Sequence, residues 1–145
     1  MSRPAGPKFE IFAGEVPYLT TDQMREVDRA MIEDFKIDLV QMMENAGRNL
    51  ADLARARFLN GDPQGRKVTV LAGTGGNGGG SLVCARWLHN RGALVTVFAA
   101  RPGHEFTPVP AHQLEILRRM QVDVSQAGGL DPAERPKLII DGVIG

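Results

Sequence analysis

Residues 73–80 read Gly-Thr-Gly-Gly-Asn-Gly-Gly-Gly, which places six of the chain's 17 glycines within eight positions. A run of this kind lets the backbone approach a ligand without a Cβ in the way and opens backbone angles closed to other residues. Where it follows a strand and opens a helix, it suits phosphate: the first N–H groups of a helix have no intrahelical partner, point outward and carry partial positive charge. The alternative, a merely flexible turn, costs backbone entropy with no compensating contact. Asn77 and Thr74 are the only polar side chains in the run. An Asn amide oxygen coordinates a hard cation, accepts from a ligand or simply holds a turn. Asp141, at the end of a later strand, is expected at the same sheet edge as a general base, a cation ligand or an N-cap for the next segment.

Gly73, Gly75 and Gly78 satisfy the Gly-x-Gly-x-x-Gly fingerprint in letter. The acidic residue that accompanies it about 20 positions on is missing, because Ala93 to Ala100 ends its strand without a carboxylate. No lysine follows Gly80, where Ser81 and Leu82 stand. A standard NAD or ATP site is therefore disfavoured, and a phosphate cradle remains. Cys84 has no activating neighbour and is expected buried and inert. His89, His104 and His112 lack metal-ligand spacing, which leaves zinc unsupported. Trp87 and Phe98 read as core.

Elements that position these residues follow from periodicity. Residues 1–19 are broken by Pro and Gly and read as an arm. Thr20 and Gln23 form a capping box, after which Met24, Val27, Met31 and Phe35 recur at helical spacing. A second helix is expected from Leu39 to Phe58. Val68–Ala72 reads as a buried strand running into the glycine loop, followed by a helix that Gly92 closes. Leu94–Ala100 is a second strand, 102–110 a loop, Ala111–Met120 a helix, Val122–Val124 a third strand and Lys137–Asp141 a fourth. Strands alternating with helices imply an α/β, Rossmann-like three-layer sandwich with a mostly parallel sheet and helices on both faces.

Composition narrows the class. The 145 residues are 43% hydrophobic, and 17 basic residues balance 17 acidic ones, so neither long disorder nor nucleic-acid binding by bulk charge is expected. No apolar run reaches the roughly 20 residues that span a bilayer. A single cysteine forms no internal disulfide, and Met1 to Pro17 lacks the plan of a signal peptide. A soluble, cytoplasmic protein is expected.

Four segments carry a resemblance. Thr20-Thr21-Asp22-Gln23-Met24-Arg25-Glu26-Val27-Asp28, Met43-Glu44-Asn45-Ala46-Gly47-Arg48, the glycine loop with Leu82-Val83-Cys84-Ala85-Arg86, and Asp141-Gly142-Val143-Ile144-Gly145 resemble the YjeF N-terminal domain family, from about Leu19 onward. The resemblance implies one domain over 20–145, incomplete at its C-terminus, since members continue beyond the matching point. It implies an NAD(P)H-hydrate epimerase, an isomerase of metabolite repair that interconverts the C6 epimers of hydrated NADH and NADPH. It also implies a potassium ion and a possible homodimer, with neither nucleic acid nor membrane as partner.

Carried over residue by residue, the dinucleotide-recognition segment falls on Gly76, Asn77, Gly78, Gly79 and Gly80. Asn77 and Asp141 become the potassium ligands, and Asp141 the catalytic acid/base. Two departures stand out: Gly76 and Gly80 replace an Asn and an Asp of the family pattern. Those bare positions motivate a second reading, a non-catalytic nucleotide-binding or scaffold domain of the same fold. Glu44 and Asn45 match the family and are expected near the cleft, or in a capping or packing role.

Overall fold

A computed structural model describes residues 13–129, 131 and 133–144. Of the expected arm, residues 1–12 lie outside the described residues, and 13–20 form neither helix nor strand. The chain divides into two compact units, 1–39 and 40–145. In the first, α1 (Thr21–Glu33) starts at the expected capping box: Gln23 N–H donates to the Thr20 hydroxyl, and Gln23 Oε1 accepts from Thr20 N–H at 2.8 Å. Arg29 ties its last turn together through Glu26, Glu33 and Asp34. Met24 and Val27 of the expected stripe are exposed, and Phe35, also exposed, lies past the end of the helix at Glu33.

The second unit carries the sheet. Its elements are α2 (Leu39–Phe58, in this unit from Val40), β1 (Lys67–Ala72), α3 (Gly76–Asn90), β2 (Leu94–Ala99), α4 (Pro108–Arg119), β3 (Asp123–Gln126) and β4 (Leu138–Gly142). All pairings are parallel, in the order β3-β2-β1-β4. The crossovers from β1 to β2 and from β2 to β3 run through α3 and α4, and the two helices pack together. Period-2 alternation aims Val68, Val70 and Ala72 of β1, Val95, Val97 and Ala99 of β2, and Ile140 of β4 into one core with Leu82, Leu88, Leu114 and Leu117. Those four leucines are fully buried, and each contributes about 2 kcal/mol by leaving water.

The parallel α/β class is thus borne out; β1, β2 and β4 depart from their expected bounds by one residue at one or both ends, and three other differences are informative. Gly76–Gly80, expected as loop, form the opening turns of α3. Glycine disfavours helix by about 1 kcal/mol each, but here tight packing of Gly78 and Gly79 offsets part of that cost. Helix α4 starts three residues before Ala111, at Pro108: a proline in the first turn gives up an N–H that has no intrahelical partner anyway. Strand β3 begins one residue later than expected and runs on to Gln126. Gly92, with φ at +87°, closes α3 as expected.

Candidate functional site

The strand order reverses between β1 and β4, since the chain passes from β1 to β2 on one side while β4 returns on the other. Ligands of open α/β sheets bind at the carboxyl ends of the strands at such a point. There the chain leaves β1 through Gly73, Thr74 and Gly75 and enters α3, while β4 ends in Asp141 and Gly142. Gly73 N–H donates to the Gly142 carbonyl at 3.0 Å, which continues the β1–β4 ladder to its last rung.

The three fingerprint glycines divide the work. A Cβ on Gly73 would lie 2.1 Å from the Val143 carbonyl oxygen, and one on Gly78 would lie 1.9 Å from the Gly73 carbonyl oxygen. These two let the α3 N-terminus close down on the strand ends. Gly75 is different: nothing stands within 4 Å of where its Cβ would be. The Cβ positions of Gly76 and Gly80 are likewise open. Gly79 instead faces Met43 of α2 and Pro110 of α4. The first intrahelical donor is Gly79, bonded to the Gly75 carbonyl at 3.0 Å. The N–H groups of Gly76, Asn77 and Gly78 precede it, at the end of the helix that carries partial positive charge.

Side chains complete the rim. Asn77 Nδ2 donates to the Ile144 carbonyl at 2.7 Å, leaving its Oδ1 without a partner among the described residues. Asp141 Oδ1 accepts from Val143 N–H at 3.0 Å, and its second carboxylate oxygen is likewise unpartnered there. Asn77 and Asp141 are therefore held at the same end of β4, one through Ile144 and the other through Val143, though no hydrogen bond joins them. Both offer oxygen donors, the kind a hard cation takes. Asp141 also lines a cavity of about 330 Å³, whose other walls include Leu50, Leu53 and Phe58 of α2 and Ile139 of β4. Among the described residues, no group of three or more His, Cys, Asp or Glu side chains is placed to hold a metal.

Thr107, which sequence reasoning passed over, belongs to the site. Its N–H and its hydroxyl both donate to the Thr74 carbonyl at 3.1 Å, tying the glycine turn to the start of α4. The signal was available in Thr107-Pro108, a capping residue followed by a first-turn proline.

Glu44 and Asn45 take different roles. The Glu44 carboxylate pairs with the Arg86 guanidinium and accepts from Trp87 Nε1 at 2.7 Å, fastening α2 to α3. Arg91 stacks over the Trp87 ring at 5.1 Å and pairs with Asp52 at 2.9 Å, so that Trp87 is part of this clamp. Asn45 accepts from Arg48 on an exposed face. Cys84 is fully buried, and burial pushes its thiol up to about 12 against a smaller opposing pull from Arg91. It is inert, as expected.

A parallel sheet with a glycine turn at its switch point defines a Rossmann-like α/β architecture. Comparison with known proteins makes this particular. The family described as YjeF-related protein N-terminus matches residues 39–145, and the chain belongs to it. It is 38% identical over 146 residues to an NAD(P)H-hydrate epimerase of Dehalogenimonas lykanthroporepellens, covering 95% of this chain and 56% of that protein. It is 36% identical over 143 residues to a bifunctional NAD(P)H-hydrate repair enzyme Nnr of Salinibacter ruber, covering 89% of this chain and 26% of that one. The crystal structure of the yeast protein ynu0 superimposes with a TM-score of 0.73 at 29% identity, over 90% of this chain and 57% of the yeast chain. The chain thus spans about half the length of the epimerase and of the yeast protein, and about a quarter of the bifunctional enzyme.

Proposed function

We propose that this protein interconverts the C6 epimers of hydrated NADH and NADPH, as an isomerase of nucleotide repair. The observation that carries the reading is the glycine turn: Gly73 and Gly78 close the α3 N-terminus onto the strand ends, while Gly75 stays open in front of it. The names of the relatives, an NAD(P)H-hydrate epimerase and a bifunctional NAD(P)H-hydrate repair enzyme, support it. In this reading the N–H groups of Gly76, Asn77 and Gly78 hold the pyrophosphate, and Gly79 and Gly80 complete the binding segment.

The chemistry asks little of the protein. The ring nitrogen expels the C6 hydroxyl as water, leaving an iminium that water attacks from the other face. Asp141 serves as the acid that protonates the departing hydroxyl and as the base that takes the proton back. Its carboxylate also stabilises the neighbouring cation. Asn77 Oδ1 and Asp141 would hold a potassium ion, which would supply fixed positive charge beside the substrate's oxygens. We place the protein in the cytoplasm, where reduced nicotinamide cofactors are used, acting alone or as a homodimer and without nucleic acid or membrane. No helix among the described residues is long and apolar enough to cross a bilayer.

The test follows epimer interconversion of hydrated NADPH in potassium buffer. A rate above the spontaneous one supports the reading, and none sinks it. The second reading, a nucleotide-binding or scaffold domain without catalysis, is favoured by the bare Gly76 and Gly80, and calorimetric binding without turnover would establish it.

A further inference from the structure

A dinucleotide-binding sheet reads the adenosine ribose at the carboxyl end of β2, one strand over from the glycine turn: an acid there accepts from the 2′-hydroxyl, and an arginine nearby accommodates a 2′-phosphate. Here β2 ends at Ala99, paired with Ala72, and Ala100 N–H donates to the Ala72 carbonyl at 2.9 Å. The chain therefore leaves β2 level with the start of the glycine turn. At its other end the same segment is fixed again, because Thr107 donates to the Thr74 carbonyl. Residues 100–107 are pinned to the turn at both ends.

The first charged side chain in that segment is Arg101. It is exposed, and no hydrogen bond or ion pair among the described residues takes up its guanidinium. Ala99, Ala100 and Pro102 beside it offer no side-chain acceptor; the segment's one carboxylate is Glu105, in the short 3-10 turn Gly103–Glu105. A second cation lies against the same segment, since Arg118 Nη1 is 3.1 Å from where a Cβ on Gly103 would stand. The missing acid and the unpaired arginine are two sides of one arrangement. NADH would find no acceptor for its 2′-hydroxyl here, whereas a dianionic 2′-phosphate would find a planar fork of donors.

We propose that Arg101 sets the specificity of the site for 2′-phosphorylated dinucleotides, so that hydrated NADPH is preferred to hydrated NADH. The proposal rests on the epimerase reading, in which the pyrophosphate is held at the α3 N-terminus.

The test is calorimetric titration of the full chain with NADP⁺ and, separately, with NAD⁺. NADP⁺ should bind at least about tenfold tighter, the scale of one charge-assisted contact. Arg101→Ala should abolish that difference while leaving NAD⁺ binding unchanged, and Arg101→Asp should reverse it. Equal affinities in the parent protein, or a preference that survives Arg101→Ala, would overturn the proposal with the cradle intact. Gly75→Val separates the two levels, because it fills the space in front of α3 and should weaken both nucleotides. If Gly75→Val changes neither affinity, or if neither nucleotide binds, the cradle reading falls and this proposal falls with it.

Discussion

The side-chain amide of Asn77 donates to the main-chain carbonyl of Ile144 at 2.7 Å, across 67 positions of sequence. It joins the first turn of α3 to the chain leaving β4, and so fixes the distance between the two halves of the crevice. Asn77→Asp keeps the size and removes the donor, setting a carboxylate against a carbonyl. Stability should fall by about 1 kcal/mol in urea denaturation, the worth of one exposed hydrogen bond. Nucleotide affinity should fall further than Asn77→Ala lowers it, because the new charge faces the phosphates. If Asn77→Asp equals the parent in both measurements, the tie has no consequence.

The glycines of α3 should separate into two kinds. Gly78→Ala drives a methyl into the Gly73 carbonyl and should cost about 2 kcal/mol or more, as overpacking against backbone does. Gly80→Ala meets nothing within 4 Å at a helical position, and should raise stability by about 0.5–1 kcal/mol. Midpoints of urea unfolding at constant slope decide the matter. Equal effects of the two would contradict the close fit of Gly78 against the strand end.

Asp141 can be divided into its two roles by paired substitutions. Asp141→Asn retains an oxygen that accepts from Val143 N–H and loses only the charge and the proton. Thermal stability should stay near that of the parent while the epimerisation rate falls by about 10²–10⁴, the usual contribution of an acid/base group. Asp141→Ala should lose both the rate and the turn. A variant Asp141→Asn that retains its rate would remove Asp141 from the chemistry.

Cys84 gives a pH dependence with a definite sign. Its folded pKa is raised by burial from 9.0 to about 12, so between those values the unfolded chain gives up a proton that the folded one keeps. The stability contributed by the buried thiol is whole below about 9 and is lost as pH rises toward 12, at about 1 kcal/mol per pH unit. Cys84→Ala should unfold with a shallower loss over about pH 9–11 than the parent. Parallel curves for the two proteins would show that the thiol is not protected.

What the sequence made legible was local and periodic. The capping box of Thr20 and Gln23, the bounds Leu39–Phe58, the strand leading into the glycines and the closure at Gly92 all follow from rules acting within one element. The parallel order followed from alternation of strands and helices. Less legible was where the glycine run stops being loop. Helix propensity argues against Gly76–Gly80, and the compensation comes from Gly73, Met43 and Pro110, residues outside the helix itself. Thr107-Pro108 marked a helix start, but the tie from Thr107 to the glycine turn was not legible, since its partner lies 33 positions away. For Glu44, its identity suggested the cleft or a packing role, but only the positions of Arg86 and Trp87 show it working as a clamp.

That clamp contains the protein's only tryptophan. The Trp87 indole is held between a carboxylate that takes its N–H and a guanidinium lying on its face, and both neighbours modulate emission from the ring. Fluorescence of the untagged chain is therefore a gauge of whether α2 rests on α3, with no label needed. Far-UV dichroism, by contrast, averages over every helix. If α2 lifts away before the sheet comes apart, the two signals will separate during denaturation. Their coincidence would mark the clamp and the sheet as one cooperative unit.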